Sequence, residues 1–406
     1  MSRTAQKLIS ASGGKDAYEI EQSIMLNQGD DAYLHFTPSS SGSRTTFTYS
    51  VWMKMGSLGA DGYLPIFGYK AGSESSWYQN DLAITSDVIK WQGNLTGSSS
   101  LVTTQVFRDQ SAWYHIVFAV DTTQSTASNR MKIYVNGSQI TSFSTETYPA
   151  EDEALYIGMA SKALEIGRIQ TLYTANAYFA EAYFIENSQL TPSSFGETDS
   201  VTGQWIPIEY TGSYGGNNSF YLKFVSGAIG TDSSGEGNNF TAVNLANSDV
   251  MLDTPTNNFP TLNGIQAYNT TTGSLSQGNL RIAAGTYDSG HYSNISSTFN
   301  VPASGKWYAE CRVGISVGTG NVAVFGVTDQ DIDWNGVANE NLVGMDGFFS
   351  SLYGDYIKVV DSGTLGTGNT SATATSYILG MALDVDNGYA YFGVDSGSAM
   401  VWYKAD

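Results

Sequence analysis

Phe-Thr-Tyr-Ser-Val-Trp-Met-Lys at 47–54 and Trp-Tyr-His-Ile-Val-Phe-Ala-Val-Asp at 113–121 decide how this chain is read. Both runs are rich in β-branched and aromatic residues, which suit a pleated, half-buried surface and lose rotamer freedom in a helix. Similar runs surround them: Gly-Tyr-Leu-Pro-Ile-Phe-Gly-Tyr at 62–69, Met-Lys-Ile-Tyr-Val-Asn-Gly-Ser at 131–138 and Leu-Tyr-Ile-Gly at 155–158. Asn136-Gly137 is a strong hairpin signal, because both residues tolerate positive φ. Further strands are expected at 23–27, 30–36, 82–85, 88–92, 102–107, 138–141, 154–158, 164–168 and 176–185. Short strands at regular spacing, punctuated by turn residues, predict an antiparallel sandwich. One helical turn is expected at 188–195, with Thr191 as N-cap and Pro192 at the first helical position.

Composition supports an all-β chain. Aromatics make up 13% of the 406 residues, glycine contributes 44, and charged residues only 14%, so Asn, Ser and Thr fill the polar positions. The length suffices for two or three cores. The net charge of −20, with 18 basic residues, argues against a nucleic-acid ligand, which needs a Lys/Arg footprint. The single cysteine, Cys311, allows no internal disulfide and reads as a small apolar strand residue. No apolar run reaches the roughly 18 residues of a membrane span, so no membrane insertion is expected. The opening residues lack the apolar core of a signal peptide, so an external role is expected to need another route, such as a particle released by lysis.

A second β pattern follows, with strands expected near 279–284, 306–316, 321–328, 342–348, 355–360, 377–385 and 389–395. Asp386-Asn387-Gly388 turns the last pair. Between the halves, residues 198–275 are rich in Gly, Asn, Thr and Ser, and include Asp-Thr-Pro-Thr-Asn-Asn-Phe-Pro at 253–260. The expected organisation is therefore an anchoring arm at 1–22, a first sandwich at 23–245, a linker at 246–275 and a second sandwich at 276–406. The arm is expected to be ordered only where it docks.

The order of motifs in the first half resembles the laminin-G-like, concanavalin A-type jelly rolls, in the version found in appendage proteins of tailed bacteriophages. The carrying residues are 18–23, 32–34, 43–54, 180–185, 190–197 and 230–240, and the resemblance covers about residues 18–260. In the second half, Gly305-Lys-Trp-Tyr-Ala-Glu310 and 380–392 resemble a SPRY domain, although such modules usually continue with one more short segment after the position of Asp406. The resemblance implies a structural virion protein, a tail-fibre or appendage component assembled in the host cytoplasm, which attaches to the host surface by lectin-like recognition without turnover. A homotrimer is implied, with other virion proteins held by the arm and a host glycan or receptor as ligand. The alternative is a capsid decoration or head-fibre protein that stabilises the particle; a polysaccharide depolymerase is the enzymatic rival.

Candidate residues follow from these readings. Sugar recognition uses aromatic faces beside amide and carboxylate hydrogen bonds, and Trp77, Tyr78 and Asn80 in one loop-like segment, with Tyr214 and Asn217 in another, supply that chemistry. Laminin-G-like domains often hold calcium at a rim, which makes Asp30 and Asp31 candidate ligands, with Asp81 and Asp121 candidates by residue type. Hydrolysis needs two carboxylates across a cleft. Glu151-Asp152-Glu153 is contiguous and loop-like, and Asp329, Asp331 and Asp333 alternate but include no glutamate. His115 reads as a core or inter-sheet histidine, and no catalytic residue is assigned.

Overall fold

The computed structural model describes residues 18–56, 62–69, 80–94, 98–169, 173–264, 274–283, 295–314, 321–328, 342–349, 356–361, 364–365, 376–395 and 399–405. Apart from the helical turn α1 (Ala127–Arg130) and three short 3-10 turns, its regular structure is β. The chain divides into two units: Met1–Ala267 with Thr271–Gly285 and Ile295–Thr298, and the remainder to Asp406.

The first unit begins with β1 (Ser23–Leu26), β2 (Tyr33–Phe36), β3 (Thr46–Met55), β4 (Tyr63–Tyr69) and β5 (Asn80–Thr85). Next come β6 (Val88–Asn94), β7 (Ser98–Val106), β8 (Trp113–Asp121), β9 (Met131–Val135), β10 (Ser138–Gln139) and β11 (Phe143–Thr147). They are followed by β12 (Leu164–Ile166), β13 (Arg168–Ile169), β14 (Tyr173–Thr174) and β15 (Ala177–Glu186). The unit closes with β16 (Gly196–Thr198), β17 (Trp205–Pro207), β18 (Phe220–Leu222), β19 (Thr241–Val243), β20 (Val250–Met251), β21 (Ser274–Ser276) and β22 (Arg281–Ala283).

Two eight-stranded antiparallel sheets face each other. One runs β10-β9-β8-β3-β15-β1-β20, with β18 also on β15; the other runs β11-β7-β6-β5-β4-β12-β2-β19. Alternation sends Tyr49, Val51 and Met53 of β3 and Ile116 and Phe118 of β8 inward against Phe67, Leu82, Ile84 and Trp91. Tyr49 stacks on Phe67 at 4.1 Å and Trp91 on Phe118 at 4.6 Å. The Asn136-Gly137 hairpin forms as expected, with both residues at positive φ.

Four features differ from the sequence-based expectation. Residues 246–264 are packed on the first unit instead of spanning open space: β20 pairs with β1, and Thr256 bonds both backbone groups of Ile20. Turn-rich composition marks loops but does not say whether their polar groups are free. The hairpin of β21 and β22 likewise belongs to the first unit. Tyr18 and Ile20, within the expected arm, dock on the same unit; residues 1–17 lie outside the described residues. Residues 154–158 form no strand: Leu155 N donates to Arg44 O, its carbonyl accepts from the Arg44 side chain, and Tyr156 N donates to the Asn80 side chain, whereas Phe143–Thr147 does pair, with β7.

The second unit holds β23 (Lys306–Gly314), β24 (Asn321–Thr328), β25 (Leu342–Phe349), β26 (Tyr356–Asp361), β27 (Thr364–Leu365), β28 (Ser376–Asp384), β29 (Tyr389–Asp395) and β30 (Val401–Ala405). They form two four-stranded antiparallel sheets, β23-β28-β29-β30 and β24-β25-β26-β27. Cys311 is half-buried opposite Leu379, and burial pushes its thiol up.

Candidate functional site

The two outward faces of the jelly roll differ in what covers them. On the first sheet, Trp52, Trp113, Tyr178, Tyr183, Tyr221 and His115 point outward yet are buried, because the chain's own segments lie over them. Trp205 donates from Nε1 to Nδ1 of His115 at 3.0 Å, so the other ring nitrogen carries the proton and meets Ser50 Oγ at 2.8 Å. Burial pushes His115 down to about 3, which makes it a neutral structural histidine. Nearby, a bulge in β15 turns Glu181 outward at φ 47°, and the hydroxyls of Tyr18, Tyr183 and Tyr221 donate to its carboxylate. Burial raises the pKa of Glu181, and its polar capacity is spent inside the fold.

The outer face of the second sheet carries a different pattern. Register aligns His35, Glu165, Gly68, Asp81 and Gln92 in one row across β2, β12, β4, β5 and β6. Leu164, Ile166, Leu82 and Ile84 fill the core, so Glu165 and Asp81 project from the opposite face. Gly68 stands between them without a side chain. A Cβ there would lie 2.9 Å from Asn80 O and 3.1 Å from Asp81 Cβ.

Both carboxylates are almost fully buried. Tyr63 donates to Asp81 Oδ2, while Oδ1 has no hydrogen-bond partner among the described residues. Burial pushes Asp81 up to about 6, against the pull of the Tyr63 hydroxyl and of Lys90. Arg168 donates from one terminal nitrogen to Glu165 Oε1 at 2.8 Å and stacks over Tyr33, 3.3 Å from the ring centroid. Its other terminal nitrogen lies 3.7 Å from Asp31 Oδ2. Its Nε, also buried, has no hydrogen-bond partner among the described residues. Tyr63 and Tyr173 pair their rings at 4.7 Å. The face thus holds a buried acceptor and a buried donor, each without a hydrogen-bond partner among the described residues, next to aromatic side chains.

The residues singled out from sequence are dispersed. Trp77 and Tyr78 lie outside the described residues, as do Asp329, Asp331, Asp333 and His291. Asn80 is turned inward, fully buried, with Oδ1 accepting from Tyr156 N at 3.0 Å. Tyr214 packs with Tyr210 and Tyr221 on the first sheet's covered side, and Asn217 is exposed, its carbonyl accepting from Asn238. Asp30 accepts from the Asn27 amide, Asp31 adopts φ 51° after it, and both are exposed. Asp121 accepts from Thr46, Thr123 and Gln124. Among the described residues, no three His, Cys, Asp or Glu side chains are grouped to hold a metal ion. Glu151-Asp152-Glu153 is a turn, as expected. Glu165, Arg168, Tyr63 and Tyr173 were not singled out from sequence. The signal available was Leu164-Glu165-Ile166, an acidic residue set between two core residues.

A known family covers this region. Residues 28–169 match the concanavalin A-like lectin/glucanases superfamily. The match lies within the first unit, whose two facing antiparallel sheets have the concanavalin A-like jelly-roll fold. Among solved structures, the chain is similar to the native heptameric SAP-like pentraxin from Limulus polyphemus at 14% identity, with a TM-score of 0.37, covering 58% of this chain and 96% of that one. It is also similar to domains LG4-5 of the mouse laminin alpha1 chain, at 10% identity and a TM-score of 0.32, covering 100% and 83%. A carbohydrate binding protein from Bacteroides ovatus aligns at 14% identity and a TM-score of 0.32, covering 54% and 58%. No curated protein matches the chain.

Proposed function

We propose that this protein binds carbohydrate, without turning it over, on the outer face of the second jelly-roll sheet. The observation that carries this reading is the pair of buried atoms Asp81 Oδ1 and Arg168 Nε, an acceptor and a donor with no partner among the described residues. A sugar's hydroxyls carry both the donor that Asp81 Oδ1 lacks and the acceptor that Arg168 Nε lacks, and Tyr63 or Tyr173 offers a ring to the apolar face of a pyranose. Glycan-array screening followed by calorimetry tests it. A ligand whose affinity falls at least tenfold in Arg168→Ala supports the reading; a ligand indifferent to Arg168 and Asp81 removes it.

The wider role we propose is that of a virion component of a tailed bacteriophage, in a tail fibre or similar appendage. The order of motifs at 18–260 and the acidic, disulfide-free composition support it. The second unit, read as SPRY-like, would add a contact surface, with Tyr308 and Trp402 largely exposed and 6.0 Å apart on one sheet. Tracing the chain in a map of the intact particle separates this role from capsid cement, which requires the sugar-facing sheet to be covered by other subunits.

One observation favours a hydrolytic reading. Asp81 and Glu165 stand two strands apart in one row, roughly 9–10 Å between backbones, and the raised Asp81 could act as an acid. New reducing ends released from a bound polysaccharide, lost in Glu165→Gln, would establish it in place of simple binding.

A further inference from the structure

Lys54 lies in β3, and its side chain is completely buried. Its Nζ contacts three acceptors: Asp253 Oδ2 at 2.8 Å, Asn258 Oδ1 at 2.8 Å and the carbonyl of Phe259. Asp253 is buried as well, and its other oxygen accepts from Trp113 Nε1 at 3.0 Å and Phe259 N at 3.2 Å. The Asn258 amide nitrogen donates to Ser111 O at 2.8 Å, which fixes its carbonyl end toward the lysine. The Tyr178 ring centroid is 6.0 Å from Nζ. A buried ammonium has three N–H donors, and these three acceptors match them one to one. One of the three belongs to a carboxamide, whose carbon is an acyl centre. The carboxamide pressed against the same nitrogen turns an ion pair into an acyl-transfer arrangement.

We propose that Lys54 and Asn258 join through an intramolecular amide bond, with Asp253 as the proton shuttle. Asp253 takes one proton from the ammonium. The neutral Nζ attacks Cγ of Asn258, one bond beyond the oxygen it already touches, and the carbonyl electron pair moves onto Oδ1. Asp253 passes its proton to Nδ2, the carbonyl reforms, and the Cγ–Nδ2 bond breaks. The departing ammonia takes the surplus proton from Nζ and leaves as ammonium, and Asp253 ends as a carboxylate. No oxidant, reductant or cofactor enters. Burial pushes Lys54 below its ordinary range, against the attraction of Asp253, which favours the neutral amine. Asn258 is exposed, so the leaving group has a path to solvent.

The bond ties a central strand to the segment lying over it, in a chain whose lone cysteine allows no internal disulfide. Intact-mass measurement of the purified wild-type protein is the test. The expected result is the loss of one ammonia, about 17 Da, with no tryptic cut after Lys54 and a branched peptide containing Lys54 and Asn258. Asn258→Ala should restore the cut after Lys54. A wild-type protein at full sequence mass with Lys54 cleavable overturns the proposal. So does ammonia loss that maps elsewhere, for example to a cyclised Asn136-Gly137.

Discussion

Asp81 and His115 are buried on opposite sheets, and their titrations act on stability in opposite senses. His115 is held neutral by Trp205 and Ser50, with its pKa at about 3 in the fold against roughly 6.5 unfolded. Its contribution is complete above the unfolded value and is lost as pH falls toward about 3. Thermal unfolding should therefore show a decline in Tm below about pH 6.5 that His115→Gln flattens; an unchanged slope in the variant would assign the decline to other groups. Asp81 runs the other way, since its folded pKa of about 6 stands above the ordinary value of 3.8. The neutral carboxyl stabilises fully below the unfolded value, and that stability is lost as pH rises through about 6. At neutral pH the ionised, buried group is a cost to the fold, one that the proposed sugar ligand would offset. Asp81→Asn should raise stability at pH 7.5 by about 1–3 kcal/mol while weakening glycan binding at least tenfold. A variant that loses both stability and affinity would mean that Asp81 is structural.

At the level of elements, turns and strands were legible where one local rule sufficed. β3, β8 and β15 read as strands from continuous β-branched and aromatic runs, and the structure buries them on both faces. Asn136-Gly137 was legible from its conformational demand, but its second constraint was not: a Cβ on Gly137 would sit 2.5 Å from the Trp205 ring, far away in sequence. Gly137→Ala meets both a φ of 81° and that ring, so a loss of about 1–3 kcal/mol is expected by denaturant titration. A loss no larger than a few tenths would mean that Trp205 can move aside without penalty. The candidate site escaped for a related reason. Asp81 and Glu165 meet in one row only because β12 returns to pair with β4, and no local pattern states that register. Residues chosen as aromatic and amide neighbours in sequence were thus dispersed: Asn80 went inside and Tyr214 to the other sheet.

For the molecule as a whole, the boundary between units is the feature that composition placed too early. A division at residue 275 cuts the hairpin of β21 (Ser274–Ser276) with β22 (Arg281–Ala283), which the first unit uses. Gly278 O accepts from the buried Tyr178 hydroxyl at 2.8 Å, and Gly278 N donates to Asn176 Oδ1 at 3.2 Å. Residues 295–298 then bond back: Asn263 N donates to Ser296 O, and Thr298 N to Thr261 O, both at 2.8 Å. Removing the hairpin breaks both hydrogen bonds, each contributing about 0.5–1.5 kcal/mol, and uncovers the Tyr178 ring. A fragment of residues 1–298 should therefore unfold cooperatively and retain the full glycan affinity of the intact chain. A fragment of residues 1–275 should melt several degrees lower, on the ~2–4 °C per kcal/mol expected for a unit of this size. Equal melting of the two fragments would show that the hairpin only rests on the jelly roll. A loss of affinity in the longer fragment would move part of the binding site to the second unit.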